Sequence, residues 1–586
     1  LTQFDYSTPY TSGYQLLPRF IDDIITSEGP RLTSRPVESE MTSNSFKISW
    51  ATQKPSNSIV YYGLTTDYEI DSLVIDESVT QHAVTVTGLS PATVYHVKVG
   101  SADENGTNYS AGHLVITASH SSSTGQMNVY FSKSINTDLA ANANEANGMI
   151  DLEQKLIERI QTAKFSIDLC FFSWNLEAVT DALIDAYYRR IRIRFIYDAT
   201  HDQYQVYRLR ELGIPIIDDS FGDNSASGKI QHNKFAIFDA RNNSRFDDDW
   251  IWTGSLNLIK TGDGDIGVDA AQNVIEIQDQ ALAKAYTLEF NEMWGSDSNE
   301  PIAENSRFGV NKTDNVPHRF IINNKLVELY FCPSDNATAK IIDAIETANS
   351  SIYFSILAFT RVDVKLAMSD RFYNIPGFDI RVFFDSSADS YSQYFSMNGE
   401  GNYAWNPPAD VWLDGEPEVL HHKYMIIDSE SPDSDPITIT GSQNWSTSAE
   451  TENDENTLII HDASITNQYL QEFAERYHAA GGTGAFETTV ETQSRSPQPA
   501  VFSLDQNYPN PFNMETQISF TIDNPGYTSL KIYDMNGRLV ATLVDKYLTA
   551  QRYRLNFSPG KLASGVYVYK LRSNNRSLIK KLVLLK

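Results

Sequence analysis

The sequence predicts a multidomain protein: a central α/β region of two pseudo-repeated halves, with a β-sandwich on either side of it. Three observations carry this. A His-x-Lys-x4-Asp stretch occurs twice, at 232–239 and 421–428, each time followed by Thr-Gly-Ser-x-Asn. The segments around those stretches recur in the same order, strand patterns alternating with helical ones. Toward both ends of the chain, short runs of alternating polarity lie between turn-rich segments, the pattern of antiparallel sheets.

A chain of 586 residues is too long for one ordinary core. Residues 1–37 are polar, rich in Tyr, Ser and Thr, and read as an N-terminal extension. From 38 to 118 the runs 46–50, 58–62 and 83–86 alternate as strands do. Gly88-Leu89-Ser90-Pro91-Ala92-Thr93-Val94-Tyr95 resembles the corner of a fibronectin type III domain, in which the Tyr hydroxyl bonds back to the preceding turn. Trp50 is expected in the core of this module, which would space or attach rather than catalyse. The Ser-rich stretch 119–126 reads as a linker.

The central region divides into halves at 127–300 and 301–480. Segment 127–134 matches 327–334, 156–175 matches 341–360, and 191–200 matches 378–387. Further on, 271–275 matches 454–458. In both copies of the motif the Lys precedes an apolar run that reads as a buried strand. Residues two apart on a strand share a face, so His232 with Lys234, and His421 with Lys423, project together. Two such pairs suit phosphodiester chemistry. Ammonium groups and Ser or Asn donors hold the non-bridging oxygens as charge develops, one His attacks phosphorus, and the other protonates the leaving oxygen. A single His-x-Lys reads equally well as a polar strand end; two copies with matching sequels do not.

These motifs resemble the paired HKD motifs of the phospholipase D superfamily, and the resemblance covers the whole central region. It implies two α/β halves facing each other across one cleft that holds His232 and His421. It implies phosphate contacts from Lys234, Lys423, Asn257 and Asn444, assisted by Ser255 and Ser442. Family members place a carboxylate after the Ser-x-Asn segment to bond a catalytic His. Half two has Glu455 there; half one has Gln272, with Glu276 as a fallback. A carboxylate raises a neighbouring His pKa and an amide does not. On that asymmetry His421 is expected as the acid and His232 as the nucleophile, the family's usual order. Asp239 and Asp428, at the far ends of their strands, are expected to be structural. His422 occupies the x position and is expected to point away.

Residues 481–500 read as a linker by their Gly, Thr, Ser and Pro content. In 501–586, Asn507-Tyr508-Pro509-Asn510-Pro511-Phe512-Asn513, Ile532-Tyr533-Asp534-Met535-Asn536-Gly537-Arg538, Ser564-Gly565-Val566-Tyr567 and a terminal Lys580-Lys581-Leu582-Val583-Leu584-Leu585-Lys586 follow in order. They resemble the type A sorting domain of the type IX secretion system. That implies an Ig-like β-sandwich, handling by the type IX machinery, and a secreted or surface-attached protein of a Bacteroidota-type bacterium. The chain begins at Leu1 without a signal-peptide pattern, as expected if its numbering starts after processing.

Composition bounds the partners. The net charge is −29, while 501–586 carries twelve Lys/Arg against five Asp/Glu, so the acidity resides in the remainder. Such a body repels polyanions, and no Lys/Arg cluster marks a nucleic-acid groove. Cys170 and Cys332 lie in apolar runs and are expected as buried thiols, not a disulfide framework. No apolar run approaches membrane-spanning length. The chemistry requires no cofactor or metal; Gly262-Asp263-Gly264-Asp265 with Asp269 is a candidate Ca²⁺ loop, read chiefly as an exposed acidic loop. No stable protein partner is expected, and the chain is expected to be a monomer. The aromatic stretches 171–174 and 391–405 could receive acyl chains, stack on bases, or simply pack the walls. The reading is a secreted phosphodiesterase acting through a phosphohistidine, with a phospholipid head group favoured as substrate. The alternatives are a secreted non-specific nuclease of the same superfamily and, from another class, a surface adhesion protein on a catalytically dead fold.

Overall fold

The computed structural model describes residues 23–24, 28–201, 204–222, 230–260, 267–387, 391–401, 403–415, 419–431, 434–486 and, with short interruptions, 502–585. Gly262 to Asp265 of the candidate Ca²⁺ loop therefore lie outside the described residues, as do parts of the first sorting-domain motif.

The N-terminal module is an antiparallel β structure dominated by two long strands, Ser45–Gly63 and Asp71–Thr87. Alternate residues of Ser45–Gly63 turn inward, burying Phe46, Ile48, Trp50 and Val60. Trp50 stacks on the buried His82 at 4.8 Å and donates from Nε1 to Ser101 Oγ at 2.9 Å, so it is a core residue as expected. Tyr95 is buried against Phe46 and Tyr62.

Half one is built on the strands β1 (Met127–Phe131), β2 (Ser166–Phe171), β3 (Arg192–Tyr197), β4 (Ile216–Asp218), β5 (Lys234–Phe238), β6 (Trp250–Gly254) and β7 (Asn273–Gln278). They lie in the order β4-β3-β2-β5-β6-β7-β1. The β4, β3 and β2 pairings are parallel and the rest antiparallel. Half two uses β8 (Arg319–Ile322), β9 (Lys325–Cys332), β10 (Ser351–Ile356), β11 (Asp379–Phe384), β12 (Asp410–Leu413), β13 (Lys423–Ile427), β14 (Ile437–Gly441) and β15 (Glu455–His461). Their order, β12-β11-β10-β13-β14-β15-β9-β8, reproduces half one with one edge strand added. In both sheets the strand opening with the motif Lys is central, and its five residues are all buried. That explains why those strands read as unbroken apolar runs rather than alternating ones.

The helices α1 (Leu152–Thr162) and α2 (Glu177–Tyr188) cover one face of the first sheet. The last helix of each half, α3 (Gln280–Trp294) and α4 (Ala463–Ala479), packs where the halves meet. Two aromatic trios lock that interface. Phe235, directly after Lys234, meets Tyr286 of α3 at 5.1 Å and Phe331 of half two at 6.3 Å. Tyr424, directly after Lys423, meets Tyr469 of α4 at 5.0 Å, and Tyr469 meets Phe131 of half one at 5.1 Å. The residues next to the motif lysines thus fasten the two sheets together.

The stretch 119–126 and the first residues of 481–500 pack on the folded halves; 487–500 lie outside the described residues. In 119–126, Thr124 Oγ1 donates to Gln278 Oε1 at 2.8 Å and Ser119 Oγ to Asp279 at 2.7 Å, closing on the end of β7 and the start of α3. In 481–486, Phe486 is buried against Tyr353, Phe473 and Tyr477 of half two. The C-terminal region has a three-stranded and a four-stranded antiparallel sheet around one apolar core that includes Phe520, Ile532 and Tyr569.

Candidate active site

Each motif histidine lies two residues before its strand, and the opposite half holds it there. His232 N donates to Asp454 O at 3.0 Å, while Asp454 N donates to Ile230 O. Symmetrically, His421 N donates to Ala271 O at 2.9 Å and Ala271 N to Val419 O. The residue after each of those partners therefore reaches the histidine of the other half.

This crossing corrects the expected pairing of Glu455 with its own His421. His232 Nδ1 lies 2.7 and 2.8 Å from the two oxygens of Glu455, whereas His421 Nδ1 lies 3.1 Å from Gln272 Oε1. Glu455 can only accept, and Gln272 Nε2 is spent on Gly267 O at 2.6 Å, so both histidines carry their proton on Nδ1. Nε2 of each imidazole is left for chemistry. The carboxylate-backed histidine is His232 and the amide-backed one is His421, which removes the ground on which the sequence marked His421 as the acid: a carboxylate raises the pKa of His232 instead. Glu276, the fallback, is paired with Arg159 at 2.8 Å.

The two lysines bend back on their own histidines. Lys234 Nζ donates to His232 O at 2.7 Å and Lys423 Nζ to His421 O at 2.9 Å. Lys234, His421 and Lys423 are buried and His232 is partly buried. Burial pulls the His232 pKa down, with Glu455 opposing and Lys234 assisting. Burial, then the charges of Lys423, Lys234 and His232, hold His421 well below the ordinary imidazole value. Lys234 is pulled down to about 7 by burial, against Glu455 and Asp198, and Lys423 is driven well down by burial and by Lys234. A site that presses two cations together in a dry place is made to receive an anion. Phe172 closes one wall, its ring edge-on to His232 at 5.0 Å and beneath Lys234 Nζ at 5.3 Å.

The Ser and Asn residues divide. Ser255 and Ser442 were expected at the phosphate, but their hydroxyls are engaged elsewhere. Ser442 Oγ donates to Glu455 Oε2 at 2.6 Å, and Ser255 Oγ accepts from Asn273 N at 3.1 Å. Asn257 N donates to Gln272 Oε1 at 3.3 Å, and Asn444 Oδ1 is buried without a hydrogen-bond partner. Asp239 and Asp428 stand at left-handed φ of 60° and 53°, away from the histidines. Asp239 accepts from the backbone N–H of Lys164, Phe165 and Ser166, and Asp428 from those of Asn349, Ser350 and Ser351. Each latches the end of a catalytic strand to the start of its neighbour. His422 does point away, bonding Asn273 Oδ1 and Glu472 Oε1, both at 3.1 Å.

Of the aromatic stretches, Phe171 and Trp174 belong to the core of half one and Trp405 to that of half two, while Tyr391 and Tyr403 are exposed. Sequence reasoning missed the buried ion cluster of Lys312 with Glu289 at 2.5 Å and Asp454 at 3.1 Å, which ties the segment between the halves to the residue before Glu455. A lone Lys in a loop gave no signal for it. Sequence reasoning also passed over Asp198 and Asp385, although the repeat 191–200 with 378–387 had aligned them. Among the described residues, no group of three or more His, Cys, Asp or Glu is placed to hold a metal.

Comparison with known proteins agrees with this geometry. The family described as "Cardiolipin synthase, PLD-like domain" matches residues 156–294 and 341–477, one match per half. The fibronectin type III domain matches 34–114, and the secretion system C-terminal sorting domain matches 506–585. A phospholipase D of Rickettsia bellii (strain RML369-C) is 31% identical over 150 residues, 26% of this chain and 68% of the relative. The mitochondrial cardiolipin hydrolase of Homo sapiens is 28% identical over 140 residues, 24% of this chain and 50% of the relative. Among solved structures, the phospholipase D family member Nuc from Salmonella typhimurium aligns with 24% identity and a TM-score of 0.23, over 26% of this chain and 93% of its own. Phosphatidylserine synthase of Haemophilus influenzae Rd KW20 aligns with 13% identity and a TM-score of 0.41, over 61% and 87%.

The fold and site define a phosphodiesterase that works from two facing halves. The chain belongs to the phospholipase D superfamily. Its sorting domain makes it a secreted or cell-surface protein of a Bacteroidota-type bacterium, handled by the secretion machinery.

Proposed function

We propose that the enzyme hydrolyses phospholipid head-group esters through a phosphohistidine on His232. One observation carries the assignment of roles: of the two motif histidines, His232 is the one whose Nδ1 is held by a carboxylate. Glu455 fixes the tautomer that leaves Nε2 free, and its charge stabilises the cationic imidazole formed when phosphorus is bound. Ser442 positions Glu455.

Nε2 of His232 attacks phosphorus, the N–P bond forms, and the bond to the leaving oxygen breaks. His421 gives its Nε2 proton to that oxygen. A water then gives a proton back to His421 and attacks phosphorus, the N–P bond breaks, and the phosphomonoester departs. Lys234, Lys423, Asn257 and Asn444 hold the non-bridging oxygens. The substrate's own charge offsets the lysine charges that depress His421, so the acid is protonated when the ester is in place. No step requires a metal.

Phospholipid is favoured over nucleic acid because the chain is strongly acidic, at −29, and polynucleotide affinity draws on cations that neutralise phosphates. The relatives named phospholipase D and cardiolipin hydrolase point the same way. The N-terminal module serves as a spacer or attachment unit and the C-terminal one as an Ig-like export module. The functional divisions fall at 38–118, 127–300, 301–480 and 501–586, and the enzyme acts as a monomer without a stable partner. The test is a parallel assay without metal on phosphatidylcholine vesicles, cardiolipin vesicles and single-stranded or plasmid DNA. Phosphatidic acid release with intact DNA supports the proposal. Degraded DNA with untouched lipid, abolished in His232→Ala, assigns the enzyme instead as a nuclease.

A further inference from the structure

Directly after β3 and β11, each half buries an aspartate that is 1% exposed in Asp198 and 2% in Asp385. Asp198 Oδ2 accepts from Gln231 N at 3.0 Å, and Asp385 Oδ2 accepts from Leu420 N at 2.9 Å. Gln231 and Leu420 are the residues immediately before the catalytic histidines. The other oxygen of each aspartate is tied off by a hydroxyl residue two positions on: Thr200 N donates to Asp198 Oδ1 at 2.9 Å, and Ser387 N to Asp385 Oδ1 at 2.8 Å. The arrangement repeats, atom for atom, on both sides of the cleft, although the sequences beside it, Tyr-Asp-Ala-Thr and Phe-Asp-Ser-Ser, share little else.

A turn needs a hydrogen-bond acceptor at this place, but not a charged one. A buried carboxylate costs several kcal/mol unless a cation answers it, and neither aspartate has an ion pair of its own with Lys or Arg among the described residues. The cation whose charge each one favours is the motif lysine of its own half, and Asp198 has a second carboxyl beside it, Asp219, which burial and then the charge of Asp198 raise to about 7. Asp198 supports the charge on Lys234, together with Glu455; Asp385 supports Lys423, together with Glu455, against the opposing charge of Lys234.

We propose that Asp198 and Asp385 are positioning residues of the active site, each pinning the main chain just ahead of its catalytic histidine and standing as buried counter-charge to the lysine of its own half. The inference rests on the reading of Lys234 and Lys423 as phosphate ligands. Its consequence is that each lysine depends for its protonation on a carboxylate that does not touch substrate. Asp198 and Asp385 set the upper end of the working pH range, and Glu455 serves both lysines from between them.

The test uses the full chain with bis(p-nitrophenyl) phosphate, reading kcat/KM against pH for the wild type, Asp198→Asn and Asp385→Asn. The isosteric amide keeps one acceptor, for the Gln231 or Leu420 N–H, removes the charge, and replaces the oxygen that accepts from Thr200 N or Ser387 N by a donor; that local cost lowers the rate at every pH, whereas only the lost charge moves the alkaline limb. In Asp198→Asn the alkaline fall in kcat/KM should move to lower pH by on the order of one unit. Adding Lys234→Arg should move it back up, because a guanidinium stays charged when its partner is lost. A rate reduced by the same factor at every pH, with the fall unmoved, would reduce the aspartates to turn-formers and overturn the proposal. Should Asp198→Asn fail to fold, the double variant Asp198→Asn/Lys234→Met decides: recovered cooperative unfolding supports a charge pair, and continued failure overturns it. Full activity in Lys234→Ala would instead sink the site assignment itself, an outcome separable from an unmoved pH limb.

Discussion

Replacing His421 by Ala separates its role from that of His232, and the crossed pairing dictates what should follow. Of the two motif histidines, His232 alone has a carboxylate among the described residues, at 2.7 Å, to stabilise a cationic N–P adduct, so the proposed mechanism forms one such adduct per chain. A p-nitrophenyl ester leaves as a stable phenolate and needs no proton from His421. The first step therefore survives in His421→Ala, while the second lacks its base. Loss of a general acid–base group costs about 10²–10⁴-fold in rate. Mixed rapidly with bis(p-nitrophenyl) phosphate, His421→Ala should release one equivalent of p-nitrophenolate per chain in a burst, then turn over slower by about that factor. Quenched protein should carry the phosphoryl group on the peptide containing His232. With an alkyl phosphodiester, whose leaving group needs the proton, the burst should vanish. His232→Ala should show neither burst nor adduct. An adduct on His421, or a burst in His232→Ala, would refute the assignment of roles.

Further outcomes follow from the same geometry. Gln272→Glu places a carboxylate against His421 Nδ1, which stabilises the protonated imidazole; its depressed pKa should rise, and because an acid must hold its proton, the alkaline limb of kcat for an alkyl ester should shift up by about 1–3 pH units. Glu455→Gln should lower kcat by roughly 10²-fold or more, since the lost charge no longer stabilises the cationic adduct. Asp239→Ala takes the acceptor from the backbone N–H groups of Lys164, Phe165 and Ser166, of which Ser166 is buried, and should cost about 1–3 kcal/mol in urea unfolding, while the folded fraction keeps its kcat. Exhaustive dialysis against EDTA should leave activity unchanged; loss that is restored by a divalent cation would require a metal role outside the proposed steps.

The central chemistry was legible in the chain because it is written in contiguous residues. His-x-Lys-x4-Asp followed by Thr-Gly-Ser-x-Asn occupies one catalytic strand and its antiparallel neighbour, so local spacing carries it. The repeat told that two such units exist, and the aspartates at 239 and 428 could be set aside as structural from their distance along a five-residue strand. The terminal modules were legible for the same reason, each resting on motifs in sequential order.

The tertiary structure alone decided which half serves which. Glu455 follows His421 by 34 positions and His232 by 223, yet it bonds His232, because the strand that carries it runs beside the other half's histidine. Proximity along the chain argued for the wrong partner. The same pairing of opposite halves brings Asn456 to Asn233 at 3.1 Å and Asn273 to His422 at 3.1 Å, contacts that periodicity within one strand cannot express. The roles of Ser255 and Ser442 changed for a related reason: a hydroxyl is both donor and acceptor, and only the neighbouring backbone determined that they hold the opposite strand. The sequence by itself determined which groups do the chemistry. The packing of two sheets against each other determined which of them carries the charge, since burial and through-space partners, not order along the chain, set a side chain's proton affinity.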